Sequence, residues 1–420
     1  MSNLMSKYIP DSLQQNSEKV AFGGLAGCIS LSLVSIAASE ILLAVAIIGF
    51  VWMVARYKEP LMPGISVFLP LLAFMIWTMV AVFASSNVML ALTITKKFFL
   101  LLLVVVVPLI LRGENRLTWI YRIIFVVAAI SSLAGLAQYA ANPHRDLLHR
   151  ISGFMSHWMT YSGLLMLVFV LLAAYALRAG IRDHKWVIPA AVLIVLALIS
   201  SQTRNAWMGA VAGVAVLVLM RRPRAIVFLL AAILLCYAVS PAAIKNRLQS
   251  GFNLSDPNTR NRIELFRTSM RLIRAHPWFG VGPKNVKYEA LKYRSNNEFP
   301  DWMYQHMHNN FFQIAAETGI PGLLIWLWLM TRFAWDSLRC YRYANGHSFP
   351  AGEGPRREAL MASSAALAAC VALITAGMFE YNFGDSEVLM LFLFIVSAPY
   401  AFMFRSSALP EPLNSPIPER

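Results

Sequence analysis

Long apolar runs alternate with short polar segments along most of the chain. Crossing a hydrocarbon core of about 30 Å takes roughly 20 helical residues, and twelve runs approach that length. They are approximately 20–38, 41–56, 65–84, 88–111, 118–140, 158–177, 186–202, 206–220, 224–240, 311–330, 358–380 and 387–404. The pattern predicts an all-α polytopic membrane protein with about 12 transmembrane helices.

One long polar segment interrupts this pattern, between the ninth and tenth runs. It carries eleven Lys and Arg residues against five Asp and Glu residues. We therefore predict four parts: residues 1–240 with transmembrane helices 1–9, a helical lobe at 241–308, residues 309–406 with helices 10–12, and a tail at 407–420.

The charges of the short loops predict an orientation. Most loop Lys and Arg residues fall on the side that also holds both termini, which the positive-inside rule makes cytoplasmic. The lobe then lies on the extracytoplasmic side, since long loops cross largely regardless of charge.

Composition agrees with a membrane location and excludes other classes. The 420 residues are 58% hydrophobic and 14% charged, with a mean hydropathy of +0.59. A net charge of +15 is spread between apolar runs, so we do not expect a nucleic-acid partner. The four cysteines have no CxxC spacing, and neither a zinc site nor a disulfide framework is predicted.

Within the lobe, residues 258–275 have the pattern of an amphipathic helix. At 100° per residue, Arg260, Arg267, Arg271 and Arg274 share one stripe, whereas Arg262 lies in the apolar face. An arginine that points inward is costly unless it meets an anion. Arg262 is therefore the expected anion ligand of this helix.

Cations elsewhere on the extracytoplasmic side are further candidates. Arg204 stands in a short turn between two apolar runs, and Arg150 ends a loop rich in basic residues. Each is interpreted as a contact either to lipid headgroups or to a substrate. Lys96 and Lys97 lie about two turns inside the fourth run, where ionisable residues indicate function, although lysine can also extend to the surface.

Two histidines end the lobe. His306 and His308 directly precede Asn309, Asn310 and the tenth apolar run, and a histidine can transfer protons near neutral pH. The alternatives are a helix-capping role for His308 and a zinc site formed by both histidines. The zinc site is disfavoured because no third ligand stands at helical or hairpin spacing. Spacing alone does not separate the roles of the two histidines.

Two other motifs have structural interpretations. Glu317 precedes Gly319-Ile320-Pro321-Gly322, where we expect it to support helix packing. The Gly280-Val281-Gly282 segment lacks a preceding strand and a GKS/T sequence, so a fixed turn is favoured over a nucleotide-binding loop.

Arginines that converge at a bilayer surface suit a diphosphate carried by a lipid, because guanidinium groups match phosphate oxygens. At this point the chain resembles the O-antigen ligase and polymerase superfamily, over residues of about 150 to 325. The motifs that carry the resemblance are Arg150-Ile-Ser-Gly-Phe, Thr203-Arg-Asn-Ala-Trp, Arg262-Ile-Glu-Leu-Phe, His276-Pro-Trp-Phe-Gly-Val-Gly, His308-Asn-Asn and Glu317-Thr-Gly-Ile-Pro-Gly.

The resemblance, closest to the ligases, implies transfer of an O-antigen glycan from undecaprenyl pyrophosphate to the lipid A core oligosaccharide. By the same resemblance, we expect the reaction to take place at the periplasmic face of the bacterial inner membrane, to invert the anomeric centre and to use no metal or cofactor. The resemblance also assigns the general base to His308 and diphosphate binding to Arg204 and Arg262. Arg150, Lys96 and Lys97 are our additional candidates for contact with the diphosphate.

Three alternatives remain open at this stage. A polymerase would use a second lipid-linked glycan as acceptor, and a protein O-glycosyltransferase would use a Ser or Thr side chain. A flippase or transporter would also have twelve spans, but the internal repeats or broken spans typical of transporters are not evident. The modest size and the single lobe favour the ligase.

Overall fold

The computed structural model describes residues 13, 15–57, 66–142, 149–179, 185–251, 253–295, 298–346, 349 and 352–403. Within these ranges the chain is helical and has no strand. The all-α prediction is therefore confirmed, as expected for apolar segments whose backbone groups must bond internally. The predicted tail at 407–420 lies outside the described residues.

The first half of the chain consists of a series of helices. They are α1 (Asn16–Leu31), α2 (Ile36–Tyr57), α3 (Phe68–Phe83), α4 (Val88–Leu92), α5 (Thr95–Leu101), α6 (Leu103–Ile110), α7 (Arg116–Ala141), α8 (Trp158–Ala179), α9 (Val187–Ser200), α10 (Arg204–Arg221) and α11 (Ile226–Val239). Helices α4 to α6 follow one another almost without interruption and correspond to the single apolar run predicted at 88–111.

The second half combines several short helices with one amphipathic helix and two long apolar ones. They are α12 (Ala242–Gln249), α13 (Pro257–Ala275), α14 (Val286–Glu289), α15 (Asn310–Asn345), α16 (Glu353–Gly377), α17 (Ser386–Ser397) and α18 (Tyr400–Met403). Helix α13 agrees closely with the amphipathic helix predicted at 258–275.

Several helices are suited to cross a membrane. By length and hydropathy, 7 segments qualify: Ile36–Ala55, Val88–Ile110, Arg116–Ala141, Trp158–Arg178, Asn310–Asn345, Glu353–Gly377 and Ser386–Met403. Three shorter apolar helices, Phe68–Phe83, Val187–Ser200 and Pro223–Val239, match further predicted runs. A polytopic membrane protein is thus supported, while the count of twelve spans stays a prediction.

Helix α16 lies at the centre of the bundle. It packs against α8, α10 and α15, and α17 packs beside it. Small residues line α16, including a row of buried alanines that lets neighbouring helices approach closely. This packing brings the last turn of α16 close to the first turn of α15.

Helix α15 is broken at Gly319. This glycine has a φ of +74°, which side-chain-bearing residues rarely adopt. Three backbone hydrogen bonds then join the break to the segment after α13. They run from Val281 N to Ala316 O (2.8 Å), from Gly282 N to Glu317 O (3.0 Å) and from Ile320 N to Pro277 O (2.8 Å). The Gly280-Val281-Gly282 turn is therefore structural, as the sequence favoured.

Residues between α11 and α15 have a small apolar core of their own. Its buried members are Leu265, Leu272, Val281, Val286, Ala290, Met303, Tyr304, Met307 and Ala316. Ala316 belongs to α15, so this core continues into the helical bundle. The location of this lobe on the periplasmic side stays a prediction.

Candidate functional site

Two asparagines fix the start of α15. The Oδ1 atom of Asn309 accepts hydrogen bonds from the backbone N–H groups of Phe311 and Phe312, the second and third residues of the helix, at 2.8 and 3.0 Å, as a helix cap does. Its Nδ2 donates to the carbonyl oxygen of Met378 at 2.7 Å. The buried Asn310 donates from Nδ2 to Oδ1 of Asn382 at 2.6 Å. Together they attach the start of α15 to the turn that follows α16.

His308 immediately precedes this cap and faces a carboxylate. Its backbone has a φ of +45°, an uncommon value for a residue other than glycine. Its Nδ1 lies 3.0 Å from Oε2 of Glu380. When Nδ1–H donates to that carboxylate, Nε2 keeps its lone pair. A ring oriented in this way has the geometry of a general base.

Glu380 is buried and ionised. Burial by itself raises the pKa of this carboxyl, but the charge and the hydrogen bond of His308, together with the charge of His306, lower it to about 2. The backbone N–H of Tyr381 donates to Oε1 at 3.0 Å. The carboxylate is therefore a fixed negative charge behind His308.

His306 packs against His308, with ring centroids 4.0 Å apart. Its Nδ1 accepts a hydrogen bond from the backbone N–H of His308 at 3.3 Å. Although the same atom lies 3.7 Å from Oε1 of Glu380, an accepting nitrogen carries no proton, so we do not interpret this contact as an ion pair. Burial, and then the charge of His308, lower the pKa of His306 to about 4. His306 is thus a neutral neighbour of His308.

Arg262 reaches this pair from α13. Its guanidinium lies 5.6 Å above the ring of Phe379, next to Glu380 in the chain. Burial lowers the pKa of Arg262. The negative charge of Glu380 opposes this decrease, whereas the positive charge of Arg204 adds to it. The other four arginines of α13 are exposed. The inward orientation predicted for Arg262 is therefore observed.

Arg150 approaches from the loop before α8. Its guanidinium stacks 4.6 Å above the ring of Trp158. Burial, followed by repulsion from Arg204 and Arg262, lowers its pKa to about 10. These electrostatic interactions connect Arg150 to the same group of cations.

Arg204 and Arg247 complete the group. Nη1 of Arg204 donates to the carbonyl oxygen of Arg247 at 3.2 Å and to Oγ of Ser250 at 3.1 Å. Nε of Arg247 donates to the carbonyl oxygen of Gln202 at 3.3 Å. Its Nη1 is buried and has no hydrogen-bond partner in the part of the chain that the structure describes. Burial and the charges of Arg204 and Arg150 lower the pKa of Arg247 to about 10.

We call Arg150, Arg204, Arg247 and Arg262 the arginine cluster. Four guanidinium groups share this region with two carboxylates: the charge of Glu380 acts on Arg150 and Arg262, and that of Asp256 acts on Arg204 and Arg247. Such an excess of positive charge suits an anion with several oxygens.

The two lysines of the fourth apolar run lie elsewhere. Lys97 donates from Nζ to the carbonyl oxygen of Gly384, and the carboxylates that act on it belong to Glu317, Asp385 and Glu387. Lys96 is exposed. The structure therefore does not bring either lysine into the arginine cluster. Instead, Lys97 holds the turn that follows Glu380.

Glu317 has the supporting role that its motif indicated. Oε1 accepts from the backbone N–H of Lys284 at 3.0 Å and from Nε2 of Gln313 at 2.9 Å. Oε2 accepts from the hydroxyl of Tyr381 at 3.4 Å. The carboxylate thus joins α15 both to the lobe and to the turn beside Glu380.

A metal is the other possible occupant of this site. His306, His308 and Glu380 place one potential ligand atom each within 4.8 Å of one another. The spacing in the sequence offered no third ligand, whereas the fold supplies Glu380 from 72 residues away. However, Nδ1 of His306 already accepts a hydrogen bond, and nearby arginines oppose a cation. Proton transfer therefore explains the geometry better than metal binding.

Two residues of the site escaped sequence reasoning. Glu380 ends an apolar run, and nothing in the sequence near it indicates a partner. Arg247 is one of two cations on a short polar helix, and nothing in its local pattern separates it from Lys245. Only the packing of α12 against the turn before α10 reveals its buried guanidinium.

The match to known families falls on this same region. Residues 189–327 match the O-antigen ligase family. The resemblance to the O-antigen ligase and polymerase superfamily is thereby confirmed. The matched segment contains Arg204, Arg247, Arg262 and His308, whereas Arg150 and Glu380 lie outside it. A search of the curated proteins finds no match.

Proposed function

We propose that the chain is a ligase that transfers O-antigen glycan from undecaprenyl pyrophosphate to a hydroxyl of the lipid A core oligosaccharide. One observation carries the proposal: the His308–Glu380 pair lies within electrostatic range of the arginine cluster. A base beside a diphosphate-binding group is what glycosyl transfer from a lipid diphosphate requires. The family match supports the ligase or polymerase class.

In the proposed reaction, Nε2 of His308 accepts the proton of the acceptor hydroxyl. The acceptor oxygen forms a bond to the anomeric carbon of the donor while the bond from that carbon to the diphosphate oxygen breaks. Attack opposite the leaving group inverts the anomeric centre. The diphosphate leaves with the bonding electron pair, and the proton stays on the imidazole until it passes to solvent.

The arginines and Glu380 have different roles in this scheme. The arginine cluster stabilises the charge that develops on the leaving diphosphate, with Arg204 and Arg262 as its principal ligands and Arg150 and Arg247 beside them. Glu380 keeps the proton of neutral His308 on Nδ1 and stabilises the imidazolium that forms. Lys97 acts indirectly, through the turn at Gly384, and we assign Lys96 no contact with the diphosphate.

The location follows from the proposed reaction. Nucleotide-free chemistry on a lipid-borne donor places the site at the periplasmic face of the inner membrane, with both termini in the cytoplasm. No metal or organic cofactor enters the scheme. The partners are the lipid-linked glycan, the lipid A core acceptor and membrane lipid.

The acceptor distinguishes the ligase from the alternative polymerase. Purified protein in liposomes receives a lipid-pyrophosphate glycan together with either rough lipopolysaccharide or a second lipid-linked glycan. A ligase extends the lipopolysaccharide, and extension of the second lipid-linked glycan instead would identify a polymerase. Absence of transfer to both, with movement of the donor between leaflets, would support a flippase.

The base is tested by His308→Ala in the same assay. We expect transfer to be abolished, because general-base catalysis contributes roughly 10²- to 10⁴-fold. His306→Ala is the matched control, since its Nδ1 is occupied by a backbone hydrogen bond. Normal glycan transfer by the membrane-inserted His308 variant would remove this residue from the mechanism.

A further inference from the structure

A second group of arginines lies at the opposite end of the helices that carry the site. Helices α8, α10 and α16 pack against one another. Near the site, α8 begins at Trp158, α10 begins at Arg204, and α16 ends at Gly377. With 25 residues in α16, the far ends lie about 37 Å away. That distance exceeds the hydrocarbon core of a bilayer, about 30 Å.

These far ends surround a polar cavity of about 260 Å³. We call it the basic pocket. Its lining consists of Leu177, Arg178, Arg221, Glu353, Arg356, Arg357 and Leu360. Four arginines therefore face a cavity that contains a single carboxylate, and its volume is far larger than one water molecule needs.

Two of the four guanidinium groups are held in place by the end of α15. Arg356 donates from Nε to the carbonyl oxygen of Ala344 at 2.9 Å and from Nη2 to that of Gly346 at 3.3 Å. Arg178 donates from Nη2 to the hydroxyl of Tyr341 at 2.8 Å and lies 5.1 Å above its ring. These contacts orient both guanidinium groups before any ligand arrives.

The other two are available for a ligand. Arg221 and Arg357 have exposed side chains, and neither guanidinium group has an ion-pair or hydrogen-bond partner among the described residues. Glu353 neutralises little of the charge, since its Oε1 lies 3.7 Å from Nη1 of Arg356 and its side chain is 86% exposed. Four arginines and one exposed carboxylate leave the lining of the pocket with a net positive charge, which a bound anion would offset.

We propose that the basic pocket binds the phosphate group of an anionic membrane phospholipid. Arginine matches phosphate oxygens with two parallel hydrogen bonds. Basic pockets between membrane helices bind anionic headgroups in this way. The position at the helix ends places the pocket at headgroup depth, and Leu177 and Leu360 offer apolar contact to the first carbons of an acyl chain. A soluble phosphate is the other source of the same chemistry.

The test measures lipid binding to purified full-length protein by native mass spectrometry. The probes are phosphatidylglycerol, cardiolipin, phosphatidylcholine and inorganic pyrophosphate. We expect Arg221→Gln/Arg357→Gln to weaken binding of the anionic lipids about tenfold. The matched control, Arg222→Gln/Arg224→Gln, removes the same charge from neighbouring exposed positions and should leave binding within about twofold.

Both double variants keep the arginine cluster and the contacts of Arg178 and Arg356, so a difference between them reports the basic pocket alone. Glu353→Gln should strengthen binding by removing the opposing charge. The proposal would be overturned if the two double variants lost equal amounts of anionic-lipid binding. It would also be overturned if the protein retained phosphatidylcholine as well as it retains the anionic lipids. Pocket-dependent retention of pyrophosphate without lipid would assign the phosphate site to a soluble anion and overturn the lipid assignment. Each outcome is independent of glycan transfer.

Discussion

Replacement of Glu380 by glutamine tests how His308 is activated. The amide keeps the volume of the side chain but loses the charge, and its NH2 group can donate to Nδ1 and so favour the wrong tautomer. The fall of the Glu380 pKa from 4.5 to about 2 is the net result of burial, of the charge and hydrogen bond of His308, and of the backbone N–H of Tyr381, and it corresponds to about 3 kcal/mol in favour of the carboxylate. Because the attraction between this carboxylate and a protonated His308 is mutual, its loss also removes stabilisation from the imidazolium that forms during transfer.

We therefore expect Glu380→Gln to lower kcat by about 100-fold, since 1.36 kcal/mol is tenfold in rate. The assay is steady-state glycan transfer in liposomes at saturating donor, which gives kcat, and a titration of the lipid-linked glycan gives KM separately. Glu387→Gln, in the first turn of α17, is the control for loss of a carboxylate nearby. A Glu380→Gln enzyme within twofold of the wild-type kcat would refute the pairing of His308 with this carboxylate.

Three further predictions concern the arginine cluster and metal dependence. Arg262→Ala should lower transfer by about 10- to 100-fold, as expected for a lost charged hydrogen bond. Arg271→Ala should change it by no more than about threefold, because Arg271 is exposed and its guanidinium donates to Tyr293 and Ser295 of the lobe. Equal effects in the in vitro assay would contradict the inward role of Arg262. Arg247→Gln should raise KM for the lipid diphosphate more than it lowers kcat, and steady-state kinetics with unchanged KM would exclude this guanidinium from substrate binding. Treatment with EDTA should leave transfer unchanged, and a loss that zinc restores would revive the metal interpretation of His306, His308 and Glu380.

The sequence predicted the helical class well because long apolar runs leave the backbone little choice. The amphipathic helix was also readable: at 100° per residue, Arg262 falls on the inner face and Arg271 on the outer one. Periodicity also assigns Phe266 to the apolar face of this helix, yet its side chain is 50% exposed and meets the ring of Phe312 at 5.2 Å between ring centroids. Periodicity identifies a face but does not specify what covers it.

The site itself was only partly predictable. The sequence shows that Lys97 lies inside an apolar run, but it does not show which neighbour the side chain meets. That neighbour depends on helix packing, which brings the Lys97 ammonium group to the carbonyl oxygen of Gly384 and not to the arginine cluster. Glu380 lies 72 residues from His308, and no local pattern connects residues at that separation. The connection depends on Asn309 and Asn310, whose amides join α15 to the end of α16.

The break at Gly319 has a consequence for the construction of chimaeras. Three backbone hydrogen bonds connect residues 277–282 to residues 316–320, and an added Cβ at Gly280 would lie 2.5 Å from the carbonyl oxygen of Ala316. The conformation of each segment therefore depends on its hydrogen bonds to the other segment. A chimaera that exchanges the donor or acceptor preference between relatives should therefore take both segments from the same parent. A crossover placed between the two segments should yield misfolded protein.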